Sequence, residues 1–331
     1  MKFVNIEHHC RFEFEGGGFC KEPREGEALF CFFHDSNLPK HTPEMRERIS
    51  QAIQAKKRLE GAHLEGVDLS RANLESAWLV RAHLDKANLE RAHLEGARLY
   101  GASFRDANLF NANLRGANLK ECDMEGANLL EVKLDRAKIL GVHWGKHGMV
   151  QSELEGRHLE YTGDFRKAKV KFREAEEIYR NICLHLTAAG LLSEVGTFFY
   201  REMVSRRKQK PFFSVDRVSS KMIDILCGYG EKTFRVFLSA FGVVLAFSLI
   251  YFFAGLRYAE KIVAYDRGQS ASQNLHEYFL SFYFSLVTFT TLGYGDIIPM
   301  HVTRLIAGIE AFFGAFMIAF FVLVFSRKLT R

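Results

Sequence analysis

A large apolar residue falls at every fifth position from Leu59 to Ile139, seventeen times in all, as in LEGAH LEGVD LSRAN LESAW LVRAH. The residue two places before each next large one is small throughout: alanine, valine or, once, Cys122. A period of five suits neither a helix, with about 3.6 residues per turn, nor a strand that alternates every two. A chain that turns a corner every five residues satisfies it, because each side then faces one large and one small residue inward.

This stretch, residues 59–143, resembles the pentapeptide-repeat family. The resemblance implies a right-handed quadrilateral β-helix with four pentads to a coil. Seventeen pentads would then make about four coils, a column roughly 20 Å tall at about 4.8 Å per layer. Some members of the family imitate DNA through acidic faces. Here the repeat holds thirteen acidic and eleven basic side chains, so a scaffold or docking surface is expected instead. The net charge of +6 suits an anionic membrane surface as well as nucleic acid, and no nucleic-acid partner is expected.

Two apolar stretches stand near the C-terminus. VFLSAFGVVLAFSLIYFFAGL, residues 236–256, carries no charge, and LIAGIEAFFGAFMIAFFVLVF, residues 305–325, carries only Glu310. Each meets the roughly 20 residues that cross a bilayer core. Between them, HEYFLSFYFSLVTFTTLGYGDIIP has an apolar part too short to span, ending in glycines. It reads as a re-entrant helix followed by extended backbone, with the pore helix and its loop covering 275–299. Unpaired backbone survives at membrane depth only where it is buried in protein or lines a watery cavity.

The tripeptide Gly-Tyr-Gly occurs twice, at 228–230 and at 293–295. Thr290-Thr291-Leu292-Gly293-Tyr294-Gly295-Asp296 closely resembles the signature of two-transmembrane potassium channels, over about residues 215–331. The resemblance implies a homotetramer whose filter is Thr291, Leu292, Gly293, Tyr294 and Gly295, with rings of carbonyl oxygens replacing the hydration shell of K+. Gly293 and Gly295 tolerate the backbone angles that point successive carbonyls the same way. Thr290, Asp296, Tyr283, Phe284 and Glu310 are expected to support the filter, with Tyr294 packed against Tyr283 and Phe284. Leu292 stands where valine is usual, and Tyr283-Phe284 where paired tryptophans often sit. The first copy lacks the threonine pair and a preceding pore helix. SVDRVSSKMIDILCGYGEKTFRVF reads as an amphipathic helix on the membrane surface and a turn into the first span. An ionisable group within a span is functional by default, which singles out Glu310. Gly314, near the middle of the inner span, is the candidate gating hinge, close helix packing being the alternative.

Positive charge before the first span (Lys208, Lys210, Arg217, Lys221, Lys232, Arg235) and after the second (Arg327, Lys328, Arg331) places both termini in the cytoplasm. The expected location is the plasma or inner membrane. MKFVNIEHHC has polar and charged residues where the apolar run of a signal peptide would lie. No arginine-rich helix precedes the pore, so intrinsic voltage sensing is not expected. With that compartment, disulfides are disfavoured. Cys10, Cys20, Cys31 and His34 then form the donor set of a structural zinc site, with His8 or His9 as alternative ligands and scattered free thiols as the competing reading.

The expected organisation is a small zinc-binding domain (1–40), a capping helix (41–58) opening at Thr42-Pro43-Glu44 and running to Lys57, and the repeat (59–149). An α-helical hairpin (150–210), an interfacial helix (211–235) and the pore domain (236–331) follow. The hairpin weakly resembles helical-repeat proteins and would link the cytoplasmic mass to the pore mechanically. No nucleophile–base pair or open metal site is apparent, so no enzymatic activity is expected. The leading reading is a K+-selective channel bound to membrane lipid, with cytoplasmic domains that regulate it or dock a protein or ligand. A membrane-anchored scaffold and a nonselective cation channel are the alternatives. Removing residues 1–150 is expected to change open probability but not selectivity.

Overall fold

The computed structural model describes residues 9–24, 28–38, 43–259 and 261–329. His8, Thr42, Glu260 and Arg331 lie outside them. The chain divides into two compact units, Met1–Phe212 and Phe213–Arg331.

In the first unit the five-residue period becomes a column of parallel bridges between residues 20 apart, such as His63 to His83 to Ser103. Four pentads therefore complete one circuit. Amides bond in both directions along the column: Leu64 N donates to His83 O (2.8 Å), and His83 N donates to Ala62 O (2.8 Å). Corners come at a regular interval, since every fifth residue from Gly61 to Gly141 has φ between +53° and +74°. Ten of those corners are not glycine, Arg71 and Glu131 among them. The large residues are buried on the axis from Leu59 to Ile139, and so are their small partners except the half-buried Ala72 and Ala137. Outside, amides stack in a ladder, with Asn108 donating to Asn88 (3.2 Å) and Asn128 to Asn108 (3.1 Å).

Helix α1 (Pro43–Gln54) precedes the column and places Ile49, Ala52 and Ile53 in the same core. It stops three residues short of the expected Lys57, because Lys56 turns left-handed at φ +53°. Beyond the column a further helix, α2 (Gln151–Tyr161), precedes the two helices of the expected hairpin, α3 (Phe165–Ala188) and α4 (Leu192–Lys208), which break around Gly190. The unforeseen α2 carries a mid-helix Gly156, which lowers its propensity. The glycine is there for packing, as a Cβ would meet the Phe172 ring at 3.1 Å. Asp164 caps α3 by accepting from Lys167 N (3.1 Å). Ala175, Ile178, Tyr179, Ile182 and Leu186, spaced by threes and fours on α3, join the column's core along with Val195 and Phe198. Glu153, 1% exposed, accepts from the Tyr179 hydroxyl and pairs with Arg157 and Arg201. The helices and the column thus share one interior.

In the second unit, the amphipathic α5 (Val215–Cys227) is capped by Ser214, which accepts from Arg217 N (3.2 Å). The first Gly-Tyr-Gly is the elbow after it: Gly228, Tyr229 and Gly230 all have positive φ. The Tyr229 hydroxyl meets Ser220 (2.8 Å), and Arg235 donates to the Asp224 carboxylate (2.9 Å) across the bend. Helix α6 (Thr233–Ala254) and α8 (Val302–Leu329) are the two spans, each starting three residues before the apolar run that announced it. Only 28% and 22% of their apolar windows are buried within the chain, so most of that surface is left for lipid or other copies. Between them, α7 (Ala271–Phe289) opens with a capping box of Ser270 and Gln273. A small antiparallel sheet, not foreseen, orders β2 (Lys261–Val263), β1 (Leu256–Tyr258) and β3 (Ile297–Pro299).

Candidate functional site

The segment Thr290–Asp296 hangs between two anchors. At one end Thr290 closes α7, its N–H donating to Leu286 O (3.0 Å) and its hydroxyl to the same carbonyl (2.8 Å). At the other, Ile297–Pro299 pairs with Leu256–Tyr258, the strand that leaves the first span. Within the segment, φ is positive at Thr291 (+57°), Gly293 (+56°) and Gly295 (+78°), while Leu292 and Tyr294 stay out of that region. Left-handed backbone therefore recurs at every second residue, 291, 293 and 295. Thr291 is the surprise: a β-branched residue at positive φ is a true outlier. Its hydroxyl donates to Thr290 O (2.7 Å) and Thr291 N to Thr288 O (3.0 Å). Residues 291–296 are exposed on the single chain. The negative end of the α7 dipole ends at this segment, which favours a cation near it.

The expected supports divide. Asp296 faces the Tyr283 hydroxyl. Phe284 does not pack on Tyr294: it is buried edge-on against Tyr251 of α6, ring centroids 4.9 Å apart. Among the described residues no ring contact holds Tyr294, which is 67% exposed. The reason is register, since adjacent residues of a helix point about 100° apart and Phe284 takes the core side. Glu310 is fully buried and ties three helices together. It accepts from the Tyr251 hydroxyl of α6 (2.7 Å) and is bonded to Ser285 of α7. Ser285 also reaches Val244 O (2.9 Å). Tyr251 and Ser285 escaped the sequence reading because single hydroxyls in apolar helices carry no local pattern. Gly314 lies inside an unbroken α8, where a Cβ would stand 1.9 Å from Phe289 O at the end of α7. Close approach of two backbones is thus one reason for glycine there.

A second cluster lies in the first unit. Cys10, Cys20, Cys31 and His34 are buried, with one ligand atom from each within 4.8 Å of all the others. A tetrahedral zinc with S at about 2.3 Å and N at about 2.0–2.1 Å requires S to S near about 3.8 Å and S to N near about 3.6 Å. Observed are Cys20 Sγ to Cys31 Sγ 3.9 Å, Cys10 Sγ to His34 Nδ1 3.5 Å and Cys31 Sγ to His34 Nδ1 3.2 Å. The donor set therefore fits. A hydrogen bond from Cys31 holds the Cys20 thiol below its ordinary range, and Cys31 in turn is pushed up to about 12 by that bond and by burial. Burial raises Cys10. Three such thiols cannot all ionise unless a cation compensates them. The bridges His9 to Pro23 and Glu13 to Phe19 fold Cys10 and Cys20 together across Gly16–Gly18, and a turn brings His34 N to Cys31 O (3.0 Å).

Two long apolar helices, a helix between them that stops short, and a glycine-rich loop with recurrent positive φ stand together in this unit. Residues 239–331 match the family described as Ion channel, and 58–84, 68–106 and 107–142 match Pentapeptide repeats (8 copies). The chain therefore joins a pentapeptide-repeat column to a C-terminal two-span ion-channel domain. Among solved structures it is similar to a pentapeptide repeat protein (Rfr23) from the cyanobacterium Cyanothece 51142, at 37% identity and TM-score 0.22, over 29% of this chain and 60% of that one. It is also similar to HetL, a pentapeptide repeat protein involved in heterocyst differentiation regulation from Nostoc sp. strain PCC 7120, at 38% identity and TM-score 0.26. That match covers 26% of this chain and 40% of HetL. No curated protein matches the chain.

Proposed function

We propose that this protein is a homotetrameric, K+-selective channel of the plasma or inner membrane with both termini cytoplasmic. The carrying observation is the run of positive φ at Thr291, Gly293 and Gly295, in TTLGYGD, directly after a helix that stops between two spans. A dehydrated K+ needs rings of oxygen from several chains around one axis. The exposure of 291–296 on one chain leaves that face for the other three copies. Glu310, through Tyr251 and Ser285, holds the pore helix against both spans and so supports the filter from behind, with Tyr283 and Asp296 at its outer rim. Gly314 serves as the hinge of the inner span. The first unit acts as a regulatory or docking module for a cytoplasmic protein or small ligand, and conduction is passive, with no enzymatic step.

Cys10, Cys20, Cys31 and His34 hold a structural zinc ion, supported by edge distances that suit a tetrahedron. The zinc would supply positive charge that lets three buried thiolates coexist.

The test is purified protein in liposomes under a K+/Na+ gradient. A reversal potential near the K+ equilibrium value is expected. A value near zero would make it a nonselective cation channel, and no flux at all would leave a membrane-anchored scaffold.

A further inference from the structure

The column has two ends, and an open end of stacked strands leaves amides and carbonyls without partners. Inside the column each coil meets these needs for the next. Amides such as His83 N and Asn88 N donate to a carbonyl 21 residues earlier, Ala62 O (2.8 Å) and Val67 O (2.9 Å). Carbonyls such as Val80 O and Asp85 O accept from the coil before, at Gly61 N and Gly66 N (both 2.8 Å). The first coil has no coil before it. Two of its groups are left facing outward on one side: the His63 amide and the Glu60 carbonyl.

Both are met by the cysteine module. His63 N donates to Phe33 O (2.8 Å), so Phe33 takes the place that Ala62 holds for His83. Glu60 O pairs with His34 Nε2 (2.8 Å), so the imidazole takes the place that Gly61 N–H holds for Val80. A carbonyl only accepts, so Nε2 carries the proton and Nδ1 is left as a lone pair aimed at the Cys10 and Cys31 sulfurs (3.5 and 3.2 Å). One histidine therefore serves the cluster with one nitrogen and the column with the other. Packing agrees. Phe12 stacks on His34 at 3.9 Å and lies over Gly61, where a Cβ would meet its ring at 2.4 Å. Cys10, Cys20, Cys31, Phe32 and Phe33 share the core of Leu59 and Leu64.

We infer that the metal centre is the plug of the β-helix: bound metal locks Phe33 and His34 into the shape of the missing coil and so orders the column's first turn. This rests on the zinc reading above. It goes further in making the order of the docking surface depend on metal loading.

The experiment is hydrogen exchange on the full chain in detergent, read by mass spectrometry, with zinc content measured on the same samples. Stripping the metal with a chelator should speed exchange in peptides covering 58–66 by about tenfold or more, while peptides covering 104–119 stay protected. His34→Cys is the sharper variant. Four thiolates still hold zinc, but the donor to Glu60 O is gone, so 58–66 should exchange faster with metal content unchanged. Zinc-loaded protein whose first coil is unaffected by chelation overturns the plug and leaves the metal site standing. Unchanged exchange in a zinc-retaining His34→Cys overturns the role given to the imidazole. Metal-free purified protein with a protected first coil overturns the zinc reading and the plug together.

Discussion

Replacing Gly314 with alanine tests how the pore helix is held. The added Cβ would stand 1.9 Å from Phe289 O, 2.7 Å from its carbonyl carbon and 3.0 Å from its Cα. Comfortable carbon–oxygen contacts lie at about 3.3–3.6 Å, so the two backbones must part by more than about 1 Å. The obstacle is main chain in the last turn of α7, and no rotamer change can relieve it. Overpacking of this kind costs about 1–3 kcal/mol, repeated in each subunit. Against it stands the gain of up to about 1 kcal/mol from alanine in a helix interior. The net expectation is a loss of up to about 2 kcal/mol per subunit. Because Phe289 leads through Thr290 into the filter, K+/Na+ discrimination should fall as well. Gly308→Ala is the control, since a Cβ there meets nothing within 4 Å; it should be neutral or stabilising by up to about 1 kcal/mol. The assay pairs thermal stability of the solubilised protein with reversal potentials in liposomes. If Gly314→Ala matches Gly308→Ala in stability and selectivity, the close-approach argument is wrong. Altered open probability with intact selectivity would then mark Gly314 as a hinge alone.

Tyr229→Ala, at the elbow before the first span, should leave selectivity intact, whereas Gly293→Ala should abolish conduction by opposing φ +56°; equal effects in liposome flux would overturn the choice of filter. Deleting residues 1–212 should preserve selectivity and change open probability in single-channel recordings. That cut respects the compact unit, whereas one at 150 would strip the column from Ile178, Ile182 and Leu186. A truncated channel that gates like the full chain under every modulating condition would reduce the first unit to a docking scaffold. Burial holds the His185 imidazole below its ordinary range, with Asp135 opposing the shift. A base with a depressed folded-state pKa stabilises above its unfolded value of about 6.5 and loses that contribution as pH falls. Thermal stability of the first unit should therefore drop between about pH 7 and pH 5, and less so in His185→Gln; identical pH profiles would refute this.

Much of the molecule was legible because its signals are local. Period five from Leu59 to Ile139 can be met only by a chain turning at every pentad, and two long apolar runs flanking TTLGYGD leave little choice of topology. The cysteine cluster was also readable as a set of donors, from residue types and turn glycines alone. What only the tertiary structure decided lies in contacts between residues far apart in sequence. Glu310 finds Tyr251 59 residues away and Ser285 25 away, and His34 finds Glu60 26 away. None of these pairs leaves a periodic trace, because each depends on which faces of separate elements meet. The same holds for α2, whose Gly156 weakens its helical signal until Phe172 packs against it, and for β3, which pairs with a strand some 40 residues earlier and anchors the C-terminal end of the TTLGYGD segment. Local periodicity specifies which elements form. The partner of a lone hydroxyl, carboxylate or imidazole is specified only when packing has brought those elements together.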